Sequence, residues 1–207
     1  MLNDFLLTEE YAQLIEECLA AGVAIDAIGL QTHMHQGYRG EDQLGAILDR
    51  FGAFGLPLQL TEVTLVSGDL MPSEIVDLND YQVEHWPSTA DGESRQASDI
   101  ESLYRVATAH PLVESITYWG LGDGDSWLGA PAGLIRADGS RKPSYRALES
   151  LIHGEWWVHS TPLTSVAAGT FRIAGWGGDY SIESPAGESA TVHVSAGASG
   201  SASVTLA

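Results

Sequence analysis

The chain has 207 residues, enough for one substantial core and a small second domain, since folded domains most often run to about 100–150 residues. Its net charge of −19, with nine basic residues of which Lys142 is the single lysine, repels polyphosphates and argues against nucleic acid as a partner. The same acid-rich, lysine-poor balance matches a salt-adapted protein, because high ionic strength screens the self-repulsion of an acidic fold.

No apolar run approaches the roughly 18 residues that span a bilayer, so no membrane partner is expected. Met1–Glu10 lacks a basic leader and a cleavage-type ending, and secretion would need a signal upstream of Met1. The lone Cys18 has no partner for a disulfide or a cysteine-based metal site within the chain, and packing is its expected role.

In chain order, Met1–Phe5 hints at a strand, and a helix is expected from Thr8, with Glu9 and Glu10 in its first turn and a stop at Gly22. The apolar run Val23–Gln31 reads as a buried strand ending in the polar cluster Gln31, Thr32, His33, His35. A helix follows over Glu41–Phe54, then a strand over Leu56–Thr64 with Glu62 near its C-terminal end. Ser67–Gly92, with Pro72 and Pro87, reads as an extended loop of a length that usually serves a site. The remaining elements are a helix over Ser94–Ala109, a strand over Val113–Trp119, a loop over Gly120–Lys142 and a helix over Pro143–Ile152. This alternation predicts a parallel sheet joined by crossover helices.

Beyond His153 the pattern changes to short strands separated by glycine-rich turns: Gly169–Ala174, Asp179–Glu183, Ala190–Val194 and Ala202–Leu206. Gly197–Ser201 reads as a hairpin turn, and Trp156, Trp157 and Trp176 as seals at the junction. The expected organisation is an α/β domain over residues 1–153 and a small all-β module over residues 154–207.

Polar residues gather just after three successive strands, at Gln31 and His33, at Glu62, and at Trp119, Asp123 and Trp127. Parallel barrels place catalytic groups at that end of their strands. A carboxylate in the β-rich run Leu58–Thr64 is costly to bury without partners, so Glu62 is either a satisfied structural residue or a functional one. His33 and His35 form a pair of possible metal ligands, but no further histidine, lysine and aspartate follow later strands in an amidohydrolase-like pattern. Asp123-Gly124-Asp125 lacks the terminal glutamate of a calcium loop and reads as a hydrated turn. No metal or other cofactor is expected.

The segments Ile25–His33, Pro57–Glu62 and Ile116–Gly120 with Asp125-Ser126-Trp127 resemble the sixth, seventh and eighth strands of family 10 glycoside hydrolases, the xylanase-type (β/α)8 barrels. Arg141–Tyr145 resembles the start of that family's last helix, and Leu2–Phe5 its fifth strand, with Phe5 in place of the usual tyrosine. The resemblance covers about three quarters of the chain and implies the C-terminal half, strands 5–8, of a TIM (β/α)8 barrel. It further implies that Glu62 is the nucleophile of a retaining double displacement on a β-1,4-linked polysaccharide such as xylan. His33 matches a histidine hydrogen-bonded to the nucleophile, and Gln31 and Asn3 match sugar-contacting polar residues. Trp119 and Trp127 match the tryptophans that enclose the sugar beside the scissile bond.

The family's general acid/base belongs to the fourth strand, which has no counterpart here. The chain is thus expected to need the missing N-terminal barrel half or to self-associate. The alternative is a noncatalytic carbohydrate-binding or interaction protein that keeps the tryptophan-lined half-cleft.

Overall fold

The computed structural model describes residues 5–163, 165–167 and 169–195, which fall into two compact units, Met1–Ser150 and Leu151–Ala207. The first unit contains helix α1 (Phe5–Ala20), strands β1 (Ile28–Leu30) and β2 (His33–Met34), helix α2 (Glu41–Gly52), strand β3 (Leu58–Leu65), helix α3 (Ala90–Ala109), strand β4 (Val113–Tyr118) and helix α4 (Pro143–Ser150). Phe5 is therefore the first residue of a helix instead of the last of a strand, and Met1–Asp4 and the predicted Asn3 contact lie outside the described residues.

All the strand pairs of this unit are parallel, with β3 in the middle: β1 and β2 lie in succession along one flank and β4 along the other. The expected strand over Val23–Gln31 is regular only at Ile28–Leu30. Among the described residues the sheet does not close.

Local chemistry accounts for the helices. α2 buries Leu44, Leu48 and Phe51, spaced along one face, with Glu41 and Asp42 in its first turn and Arg50 in its last. Arg50 also reaches Glu9 and Glu16 of α1 in exposed ion pairs that solvent screens. α3 starts four residues before the sequence suggests because Thr89 caps it, accepting the Gly92 amide at 3.0 Å. Gly92 is required there, since a Cβ would meet the Ser67 carbonyl oxygen at 2.2 Å. Ile100, Leu103 and Ala107 of α3 are fully buried, as are Leu58 and Leu60 of β3 and Leu48 and Phe51 of α2.

A second apolar cluster lies in the loops beyond the C-terminal ends of the strands. Val66, Met71, Leu78, Trp86, Ala130 and Ala132 form it, with Ile75, Tyr81, Trp127 and Leu128 packed against it. The long segment after β3 is thus a packed structure with its own small core, and the Trp86 indole donates to the Asp69 carbonyl at 2.8 Å. Lys142 clamps these loops to the sheet. Its fully buried ammonium donates to Asp123 Oδ1 at 2.7 Å and Ser67 Oγ at 2.8 Å, while the same Asp123 oxygen accepts the Gly133 amide at 2.9 Å. Gln96, also fully buried, donates to the Leu65 carbonyl at 2.7 Å and accepts from Ser144 at 2.8 Å, joining α3, β3 and α4.

In the second unit a π-helical turn, Leu151–Glu155, is followed by the antiparallel pairs β5 (Ser165–Ala167) with β6 (Thr170–Phe171) and β7 (Gly178–Glu183) with β8 (Ser189–Val194). The turn between β7 and β8 is closed by the Ser184 amide to the Glu188 carbonyl at 2.8 Å, with Gly187 at φ 86°. Trp156 and Trp176 pack edge to face at 5.5 Å within this unit. The expected turn at Gly197–Ser201 and strand at Ala202–Leu206 lie outside the described residues.

Removing one member of a buried ion pair strands the other charge, which typically costs about 3–5 kcal/mol. Asp123→Asn keeps an oxygen for Gly133 but drops the charge opposite Lys142. It is expected to lower unfolding free energy by about 3 kcal/mol in urea titrations, and adding Lys142→Met should restore most of the loss. A single variant as stable as the parent would remove Lys142 from its role as the loop clamp.

Candidate active site

Glu62 sits where β3 is irregular. Leu30 pairs with Leu60 and His33 with Thr64, so Gln31 and Thr32 on one strand face Thr61, Glu62 and Val63 on the other. The opposite flank agrees, with a register shift between Leu60 and Val63 against β4. One extra residue in β3 is a β-bulge, a device that re-aims a side chain at a strand end. On the facing strand the break falls at Thr32, which adopts φ 63° and donates its hydroxyl to the Leu30 carbonyl at 2.8 Å.

The bulge turns the Glu62 carboxyl toward Gln31 and His33. Gln31 Nε2 donates to Glu62 Oε1 at 3.2 Å and His33 Nε2 lies 2.9 Å from Oε2, with the Glu62 side chain 25% exposed. The carboxylate accepts only, which fixes the Gln31 amide nitrogen toward it and leaves Gln31 Oε1 buried without a hydrogen-bond partner. His33 Nδ1 lies 3.0 Å from Thr64 Oγ1. Both ring nitrogens of His33 are thereby engaged, leaving none to share a metal with His35, whose ring centre is 5.7 Å away.

Two tryptophans flank this group. Trp119 meets the His33 ring edge-on at 6.4 Å and is 46% exposed, while Trp127 lies 5.0 Å from His33 and 5.4 Å from His35. Gln31, His33, Glu62, Trp119 and Trp127 are therefore brought together by three strand ends and the loop after β4. Asp123 is not part of the group, being held by Lys142 and Gly133. Trp127 belongs to the short helical turn Trp127–Gly129, in which Leu128 takes φ 61°.

Sequence reasoning misses Thr64, whose contact depends on the register of β2 with β3, and Trp86, whose ring lies 6.1 Å from His35. Trp86 was legible only as an aromatic within a long polar loop. His35 is fully buried, its Nδ1 without a hydrogen-bond partner.

Burial is the largest influence on His33 and lowers its pKa despite the opposing pull of Glu62. His35 is pushed down to about 4, by burial first and by His33 second. Glu93 is held below the usual carboxylate range by the Arg136 guanidinium, whose Nε donates to it at 2.7 Å.

Residues 1–151 match the sequence profile of glycosyl hydrolase family 10, and the chain belongs to that family. Over 174 residues it is 27% identical to an anti-sigma-I factor of Acetivibrio thermocellus, covering 84% of this chain and 20% of that protein. An endo-1,4-beta-xylanase of Geobacillus stearothermophilus is 22% identical over 121 residues, 58% of this chain and 34% of that one. The structure of a thermostable mutant of a xylanase from Cellvibrio japonicus superposes with a TM-score of 0.57 at 21% identity, covering 73% of this chain and 46% of that chain. The chain thus spans a fifth to a third of these two relatives and under half of that xylanase chain. The open parallel sheet with its crossover helices is the arrangement of part of a (β/α)8 barrel.

A histidine whose folded pKa lies below its unfolded value binds its proton more readily when unfolded, so it destabilises the fold on acidification. With His35 at about 4 against an ordinary 6.5, its contribution is complete above pH 6.5 and is lost as pH falls toward 4, amounting to about 3 kcal/mol. Urea unfolding measured from pH 7 to pH 4.5 should lose stability steeply, and His35→Phe should flatten that slope. Equal slopes in the two proteins would show that His35 is not held neutral by burial.

Proposed function

We propose that the chain supplies the nucleophile half of a retaining endo-1,4-β-glycanase of the xylanase type, with Glu62 as nucleophile. The observation that carries this is the Gln31–Glu62–His33 group at the bulged end of β3, flanked by Trp119 and Trp127. A partly exposed carboxylate, oriented by two donors and bordered by indole faces suited to stack on pyranose rings, is equipped to attack an anomeric carbon. The attack forms the C1–O bond to Glu62 as the glycosidic C–O bond breaks, and water later releases the sugar. Family membership and the xylanase relatives support this reading.

Retaining hydrolysis needs a second carboxyl about 5–5.5 Å from the nucleophile to protonate the leaving oxygen, a contribution of about a hundred- to ten-thousand-fold. Glu93 is unsuited to that task because Arg136 stabilises its ionised form. The acid would come from an N-terminal barrel half on a separate or preceding segment, which would pair with the open sheet. Without it the exposed strand edge favours self-association. We place the boundary between the barrel part and the small β module near residue 153.

The alternative is a noncatalytic carbohydrate-binding or interaction protein. One relative is named as an anti-sigma-I factor, and the half-exposed Trp119 offers a stacking surface that needs no acid.

Mixing this chain with the N-terminal half of a family member tests the two. The first reading expects xylan hydrolysis in the mixture at least a hundredfold above that of the chain alone, with a fluorosugar inactivator labelling Glu62 and no labelling of Glu62→Gln. Sugar binding with no turnover would favour the alternative, and labelling of another residue would overturn the assignment of Glu62 as nucleophile. Light scattering on the chain alone is expected to show species larger than a monomer, and a monodisperse monomer would count against an open edge that seeks a partner.

A further inference from the structure

Arg39 is a cation that this acidic chain leaves unpaired beside the candidate site. Six other basic residues, Arg50, Arg136 and Lys142 among them, face carboxylates, and Arg95 donates to the Val66 and Gly68 carbonyls. Arg39 instead donates from Nη2 to Gln36 Oε1 at 3.3 Å, and among the described residues no carboxylate forms an ion pair with it. Glu41, the acidic residue next along the chain, is engaged elsewhere, accepting from the Ser102 hydroxyl of α3 at 2.8 Å.

The position of Arg39 is fixed by two loops. Gln36 Nε2 donates to the Pro72 carbonyl at 2.9 Å and to the Ile75 carbonyl at 2.8 Å, which leaves its oxygen for the guanidinium. The Met71 amide, donating to the His35 carbonyl at 3.0 Å, ties the same loops together again. The loop after β2 leaves the sheet at the end that carries Glu62, and Arg39 lines one cavity with Thr32, His33 and His35. Arg39 is exposed, and most of its N–H donors are unused.

We propose that Arg39 binds the carboxylate of a uronic-acid branch on the β-1,4-linked polysaccharide, so that the site prefers acidic to neutral xylan-type substrates. This rests on the assignment of Glu62 as nucleophile and names the substrate class of that site. A net charge of −19 repels an anionic polymer, and a substrate with carboxylate branches therefore needs a local cation where it lies. A planar guanidinium offers a carboxylate two parallel N–H···O bonds, an arrangement that a neutral branch hydroxyl does not match. Because a neutral amide holds Arg39, an arriving uronate displaces no resident anion, and the side chain has little freedom left to lose.

The test is binding by the whole chain of xylo-oligosaccharides with a single glucuronic acid branch, placed on each sugar in turn, against their unbranched parent. Binding is followed through the indole N–H resonances of Trp119 and Trp127. At least one branched isomer is expected to bind about fivefold more tightly than the parent, the scale of one exposed ion pair, and added salt should shrink the difference. Arg39→Gln should bring the two affinities together, and Arg39→Lys should keep part of the preference. Free glucuronate, the other source of a carboxylate, should bind much more weakly than that isomer. The proposal is overturned if no branched isomer binds more tightly than the parent, if the preference survives Arg39→Gln, or if free glucuronate binds as tightly as the branched sugar. Glu62 is judged separately by fluorosugar labelling of the reconstituted enzyme, which tells the failure of either assignment from that of the other.

Discussion

The bulge in β3 is the constraint on which the site depends. Had β3 kept the register of Ile28 with Leu58 throughout, successive side chains would have alternated strictly between the helix layer and the sheet's other face. Glu62 would then share the face of Leu58 and Leu60, both fully buried, where an unpaired carboxylate is costly. The extra residue changes that. It separates Glu62 from the packed leucines and delivers it to Gln31 and His33, which lie two residues apart on the neighbouring strand and point the same way. The left-handed Thr32 is the matching distortion on that neighbour. Two irregularities that would weaken a structural sheet here serve a charge.

Around this point the loops are held by buried polar groups instead of large apolar surfaces. Lys142 is the chain's single lysine and has no exposed surface. Its ammonium joins the end of β3, through Ser67, to the loop after β4, through Asp123. Gln96, equally buried, makes a comparable set of contacts to Leu65 and Ser144. Such groups confer little net stability but allow few alternative arrangements, since every misplacement strands a charge or an amide. The small cluster containing Met71, Leu78, Trp86 and Ala130 fills the space between the loops and seats Trp127 beside the two histidines.

Electrostatics within the site run against those of the surface. The chain as a whole is strongly acidic, yet burial lowers the pKa of both His33 and His35, with His33 adding to the effect at His35. Among the described residues the outer flank of β4 has no paired strand and the sheet stays open.

Much of this was legible in the sequence. The periodicity of Leu44, Leu48 and Phe51, the acidic first turns, and apolar runs ending in Gln31, Glu62 and Trp119 specify the helices, the strand positions and the end at which chemistry gathers, because these are local properties of side-chain pattern and backbone preference. The family resemblance rests on the same runs. The start of α3 was misplaced because Thr89 is a cap only when Ser67 packs against Gly92, and the strand expected at Val23 was shortened because hydrophobicity alone does not assign a pairing partner. The tertiary structure alone decided the contacts between distant segments. The His33–Thr64 bond spans 31 residues and the Lys142–Ser67 bond 75, and a one-residue change in strand register would abolish the first. Thr64 carries no mark in the sequence that separates it from an ordinary strand residue, and Lys142 and His35 stand out there only as the single lysine and as half of a histidine pair, with nothing to mark their contacts. Their roles come from what folding places against them, a ring nitrogen, a buried carboxylate and a second imidazole.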